Sequence, residues 1–204
     1  IGMKYSKVIF VGDSRTAGMK ATLNKQVSSS VTSDVSFIAK AGQGLSWFQS
    51  TGYTQLINEI NKTKGSKPIA VVFNLGINDM ANISNYISYM SDIASTLKSK
   101  NCKLFYMSVN PINSVMITKA GKGARTEAQV REFNSKIHSG LSLNYKYIDT
   151  YSVLMKKGYG TNSSYSGTDA ASDDGLHYTT KTFKRIYYYC ITYLNTGSID
   201  ASIY

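Results

Sequence analysis

The chain has 204 residues, 42% of them apolar, enough for one domain with a buried core and too apolar for bulk disorder. No apolar run approaches the roughly 20 residues that a helix needs to cross a bilayer, so no membrane span is expected. Net charge is +11, but the 23 basic residues are spread evenly and cluster only in pairs such as Lys156-Lys157 and Lys184-Arg185; this reads as a solvated basic surface suited to polyanions, an anionic cell wall among them, with no nucleic-acid motif.

In chain order, residues 7–11 form a short apolar strand that ends at Gly12, where a helix begins. Residues 35–39 read as a second strand, followed by Ala41-Gly42-Gln43-Gly44. A helix over 54–63 carries Leu56, Ile57 and Ile60 on one side. Residues 69–75, behind Pro68, form the strongest strand and run into Gly76-Ile77-Asn78-Asp79. The stripe Ile83, Ile87, Met90, Ile93, Ala94, Leu97 predicts a helix over 83–98. A fourth strand over 104–109 closes at Asn110-Pro111, and residues 110–125 read as a loop with Gly121 and Gly123. Thr126 is an N-cap candidate for a helix over 126–141. A weaker fifth strand covers 145–148, a Gly-, Ser-, Thr-, Asn- and Tyr-rich loop covers 151–174, and a helix over 180–194 closes the chain.

Nearly continuous apolar strands alternating with helices predict an α/β fold with a mainly parallel five-stranded sheet covered on both faces. With no repeat or linker, residues 1–204 read as one domain. In such a sheet the site lies at the carboxyl ends of the strands, where the two long loops emerge. Cys102 and Cys190 have no CxxC spacing and no ligand set around them, so a zinc site is not expected. They read as two buried thiols, with a single bridge left open. Ile1-Gly2 reads as a trimmed start, and a secreted or cell-surface location is expected, with the cytoplasm still open.

Four short segments carry chemistry. Ser14, in Gly12-Asp13-Ser14-Arg15, sits where a strand meets a helix N-terminus, whose free N–H groups and positive potential suit a developing oxyanion. The plainer reading is that Asp13 or Ser14 caps the helix. In Asp174-Gly175-Leu176-His177 a carboxylate three residues before a histidine can reach its Nδ1, and a serine hydroxyl needs such a base; the plainer reading is a histidine beside a capping aspartate. Gly76 to Asp79 is a turn signal that could also place an asparagine amide at an oxyanion. Gly42 and Gly44 offer a glycine N–H, while the absence of GxxxxGK[ST] rejects a P-loop. His138 has no acid close by in sequence and reads as a surface or boundary residue.

Taken together these segments resemble the SGNH hydrolase family, the GDSL-like esterases and lipases, over most of the chain from Val8 to the final helix. GDS matches Gly12-Asp13-Ser14, the second-block glycine matches Gly44 with Gly42 as fallback, GxND matches Gly76 to Asp79, and DxxH matches Asp174 and His177. The resemblance implies a three-layer α/β/α sandwich of flavodoxin-like type. It also implies ester hydrolysis without a metal or other cofactor: Ser14 as nucleophile, His177 as base backed by Asp174, and an oxyanion hole of the Ser14 and Gly44 N–H groups with the Asn78 side chain.

Arg15 departs from the apolar residue that follows the serine in the best-known members. It is expected to pair with Asp79 or another buried acid, with contact to an anionic substrate as the alternative. Trp47, Tyr159, Tyr165 and Tyr178 lie near the blocks. Aromatic faces beside small polar residues suit sugar rings, so the expected substrate is a small acyl ester or an acylated, chiefly O-acetylated, glycan. Packing of the loop alone explains these tyrosines equally well. An O-acyltransferase using the same triad and a catalytically silent carbohydrate-binding domain are the rival readings.

Overall fold

A computed structural model describes residues 4–202. Five strands, β1 (Lys7–Gly12), β2 (Val35–Ala39), β3 (Ile69–Asn74), β4 (Cys102–Met107) and β5 (Lys146–Ile148), form one sheet in the order β2-β1-β3-β4-β5, and every pair is parallel. This is the doubly wound, flavodoxin-like order. Gly12 pairs with both Ala39 and Asn74, so β1, β2 and β3 finish together at one edge.

Successive side chains of a strand point to opposite faces, and the sheet has a separate core on each. Ile9, Val11, Val71, Phe73, Leu104 and Tyr106 face one layer. It comprises α2 (Leu45–Trp47), a π-helical turn (Phe48–Gly52), α3 (Tyr53–Lys62), α4 (Ile83–Ser99) and α6 (Glu127–Gly140). Val8, Phe10, Ala70, Val72, Phe105 and Met107 face the other layer, made by α1 (Ser14–Gln26), α7 (Thr150–Lys157) and α8 (Thr180–Thr196). Both faces are dry, which is why these strands read as unbroken apolar runs.

Three parts of the sequence reading change. Helical structure begins at Leu45 rather than at 54, running through the π-helical turn Phe48–Gly52 into α3. The loop after β4 contains α5 (Ser114–Lys119), capped by the Asn113 side chain on Met116 N–H. The loop before the final helix contains α7, capped by Asp149 on Ser152 N–H, and then the strand β6 (Thr161–Asn162). β6 pairs antiparallel with β7 (His177–Tyr178). These elements are too short to show a full period in sequence. Thr126 does cap α6, in a reciprocal box with Gln129. Cys102 and Cys190 are both buried free thiols.

Candidate active site

Ser14 is the first residue of α1. Asp13 caps that helix, accepting the Arg15 N–H at 2.9 Å, so the plainer reading of the GDS segment holds for Asp13 and leaves Ser14 free of it. The turn places the Ser14 hydroxyl at the carboxyl edge of the sheet. His177 arrives from the other end of the chain on the β6–β7 ribbon, and its Nε2 lies 2.8 Å from Ser14 Oγ. Asp174 Oδ2 lies 2.6 Å from His177 Nδ1, while Asp174 Oδ1 accepts the N–H groups of Leu176 and His177, each at 2.9 Å.

The electrostatics follow from burial and these contacts. Burial opposes the Asp174 charge, but the His177 and Leu176 N–H groups and the imidazole outweigh it and hold the carboxyl below its ordinary range. Burial pushes the His177 pKa down, against the pull of Asp174. The imidazole is therefore neutral near pH 7; with Nδ1–H on the carboxylate, Nε2 is left as an acceptor for the serine hydroxyl. The neighbouring Asp173 does not touch the imidazole. Its carboxylate accepts the Thr161 hydroxyl at 3.0 Å and Gly175 N–H at 2.8 Å, and α8 is capped by Thr179.

The segments after β2 and β3 are bonded to each other at the edge where β1 delivers Ser14. Asn78 Nδ2 donates to Gln43 O at 2.9 Å. Asp79 accepts Leu45 N–H at 2.9 Å and the Tyr86 hydroxyl at 2.5 Å. The Asp79 carboxylate lies so close to Gly44 that a β-carbon there would come within 2.3 Å of it, so no larger residue fits. Gly42 has open space around it, which separates the two glycines by geometry. Gly76 has a φ of +138°, and a β-carbon there would strike the Phe133 ring at 2.5 Å. Among the described residues, neither Ser14 N–H nor Gly44 N–H has an internal acceptor. Two backbone N–H groups and one Asn78 amide hydrogen are thus left without an internal acceptor at the ends of β1, β2 and β3, the kind of donors an oxyanion hole requires.

Arg15, Trp47 and Tyr178 do not reach this opening. Arg15 is buried and does not pair with Asp79, whose oxygens are already taken by Leu45 and Tyr86. Its Nη2 donates to the carbonyls of Asn110 and Pro111, each at 2.7 Å, and to the Tyr178 hydroxyl, with the guanidinium 4.7 Å over the Tyr178 ring. Burial lowers its pKa to about 10, and Asp13 offsets part of that. Asp13 in turn is raised to about 6, chiefly by burial and against the attraction of Arg15. Tyr178 is buried, donates to Pro111 O and packs on Phe183 and Tyr159. Trp47 is buried in the core on the α3–α4 face. Tyr159 donates to Ile112 O at 2.7 Å. Arg15, Tyr178 and Tyr159 together pin residues 110–112, and Asn113 N–H, next along, donates to Gly175 O at 2.8 Å, inside the turn that carries His177.

Tyr165 behaves differently. It is 43% exposed, and its ring stacks on the His177 imidazole at 4.8 Å between centroids. His138 is exposed and stacks on Tyr147, far from this chemistry in the fold. The sequence reading missed Arg125, whose Nη2 donates to Asn78 Oδ1 at 3.1 Å; the flanking Gly121 and Gly123, read only as loop signals, mark the turn that brings it in. Among the described residues, no group of three or more His, Cys, Asp or Glu side chains could hold a metal ion, and no helix is long and apolar enough to cross a membrane. A groove of about 610 Å³ lies at the opposite, amino ends of the strands, lined in part by Lys4, Lys98, Lys103 and Lys146.

Comparison with known proteins gives a family and a fold. The sequence model of the family described as GDSL-like Lipase/Acylhydrolase matches residues 8–189. A protein of Bacteroides fragilis, provisionally named an acylhydrolase, superposes with a TM-score of 0.63 at 15% identity, over 95% of this chain and 90% of its own. An acetyl xylan esterase gives 0.59 at 16% identity, over 88% and 95%. A member of the lipolytic G-D-S-L family from Veillonella parvula gives 0.55 at 17% identity, over 93% and 97%. At such identities the likeness is one of fold. No curated protein matches the chain.

Proposed function

Because the chain belongs to the GDSL-like lipase and acylhydrolase family, we propose that it is a serine esterase acting through Ser14, His177 and Asp174. The observation that carries this reading is the unbroken chain of contacts from Asp174 Oδ2 through the imidazole to Ser14 Oγ, at 2.6 and 2.8 Å. Ser14 Oγ attacks the ester carbonyl as its proton passes to His177 Nε2. The carbonyl oxygen, now negative, is held by Ser14 N–H, Gly44 N–H and Asn78 Nδ2. The imidazolium, stabilised by Asp174, returns the proton to the departing alcohol. Water, deprotonated by the same nitrogen, then releases the acid and frees the serine.

The substrate we propose is an acetylated or otherwise short-acylated glycan. Tyr165 supports it: an exposed ring stacked beside the nitrogen that must protonate the leaving alcohol offers a face to a sugar ring. Ser164, Ser166 and Thr168 supply hydroxyls around it. One fold neighbour is named an acetyl xylan esterase. Among the described residues no acid lines the lysine-rich groove at the amino ends of the strands, which supports contact with an anionic polymer such as a cell wall. The test is acetate release from acetylated xylan and from O-acetylated peptidoglycan, beside turnover of aryl acetate and longer aryl esters. Release from a glycan, reduced in Tyr165→Ala through KM while aryl acetate turnover is kept, is the expected result. Turnover of long-chain aryl esters alone would overturn the glycan assignment.

A further inference from the structure

The guanidinium of Arg125 is fixed by four acceptors. Nε donates to Ile77 O at 2.8 Å, Nη1 to Lys122 O at 2.7 Å and Gly123 O at 2.9 Å, and Nη2 to Asn78 Oδ1 at 3.1 Å. Three of these are backbone carbonyls that lock the plane of the fork. The fourth is the side chain that donates to the oxyanion in the mechanism above. We propose that Arg125 is a positioning residue for the oxyanion hole, orienting and polarising the Asn78 amide; this rests on the reading of Asn78 as an oxyanion donor.

An asparagine amide has two ends of nearly equal shape and opposite hydrogen-bonding character. Here its two fixed contacts demand opposite characters. Arg125 can only donate, so Oδ1 must face it. Gln43 O can only accept, so one Nδ2 hydrogen must face that carbonyl. The second Nδ2 hydrogen is then the one left for the substrate oxygen. Without Arg125 the amide keeps a single tether, and its orientation is no longer determined at both ends.

Polarisation adds to orientation. A cation donating to the amide oxygen draws electron density from the nitrogen and makes its remaining N–H a stronger donor, a cooperative effect along the chain of bonds. The cation is partly buried, where water screens it less than at an open surface. Its field acts on a negative charge that exists only as the carbonyl becomes tetrahedral. Its contribution therefore belongs in kcat rather than KM. A guanidinium that merely pinned its own loop would act on stability, or on KM through the shape of the site.

A double-mutant cycle on p-nitrophenyl acetate separates these roles. Asn78→Ala, Arg125→Met and the double variant are compared for kcat, KM and melting temperature, with Arg125→Lys as the conservative control. Arg125→Met should lower kcat on the order of tenfold, less than the 10²–10³ of a direct donor, with KM nearly unchanged. Arg125→Lys, which keeps the charge, should recover part of the loss. In the Asn78→Ala background the same Arg125 change should alter kcat less than about twofold, because the amide it acts through is gone. Equal loss in both backgrounds, or an effect confined to KM or melting temperature, would overturn the proposal while leaving the oxyanion hole intact. Normal kcat in Asn78→Ala itself would remove the reading beneath it.

Discussion

Asp174 holds His177 by two bonds and its neighbour by a third: one carboxylate oxygen on Nδ1, and the other on the backbone N–H of His177 and of Leu176. The turn and the side-chain orientation are thus set by the same group. Asp173, one residue earlier, braces the same turn from the other side through Thr161 and Gly175 and does not touch the imidazole. Asp174→Asn should therefore lower kcat by up to about 10⁴, since an amide donor facing Nδ1 selects the wrong tautomer. Asp173→Asn should cost about 1 kcal/mol of stability or less and leave kcat within a fewfold. Steady-state kinetics and thermal melting of both variants check this, and equal kcat losses would mean that the acid is wrongly assigned.

The pH profile should carry the same signature. In the proposed mechanism only the neutral His177 can accept the serine proton, so kcat/KM should rise with pH through its pKa and then level off. Burial lowers that pKa below 6.5, so the midpoint of the acid limb should fall below 6.5. Asp174 pulls in the opposite direction, favouring the protonated ring. Removing its charge in Asp174→Asn should move the midpoint further to acid, whatever residual rate remains. A midpoint above 6.5 in the wild type would mean that the carboxylate, rather than burial, dominates.

Arg15 makes a prediction about stability rather than turnover. Arg15→Met would strand the Asn110 and Pro111 carbonyls and leave Asp13 buried without its cation. The expected loss is about 3 kcal/mol, the scale of breaking a buried charged cluster. In a chain of this length that corresponds to a melting temperature lower by roughly 6–12 °C. Unchanged melting with a raised KM for anionic esters would instead make Arg15 a substrate contact.

Which parts of this were legible in sequence follows from how local each signal is. The five strands are readable because both sheet faces are buried, so nearly every residue of β1 and β3 is apolar. Ser14, Asn78, Asp174 and His177 are readable because each lies in a short block at the end of an element. The substrate-contact alternative for Arg15, and the sugar-ring reading of Trp47 and Tyr178, fail because these side chains are buried although their neighbours in sequence are candidate site residues, while the structural alternatives for Arg15 and Tyr178 hold. Whether Arg15 meets Asp79 or the carbonyls of Asn110 and Pro111 depends on contacts across nearly a hundred positions, which no local pattern encodes. Arg125 was missed for the same reason: its tie to Asn78 spans 47 positions, through a loop whose only local mark is two glycines. Of the tyrosines flanking the last block, exposure and stacking on His177 separate Tyr165 from Tyr159 and Tyr178, and both are properties of the fold.

Ser14 is the proposed nucleophile. Its Oγ is the serine hydroxyl placed 2.8 Å from an imidazole nitrogen whose other side is fixed by a carboxylate. A fluorophosphonate probe followed by peptide mapping tests it directly, alongside p-nitrophenyl acetate turnover by Ser14→Ala. Labelling is expected at Ser14 alone, with loss of both labelling and turnover in Ser14→Ala and the melting temperature retained. Turnover by Ser14→Ala at the wild-type rate, or labelling that persists on another serine, would contradict it.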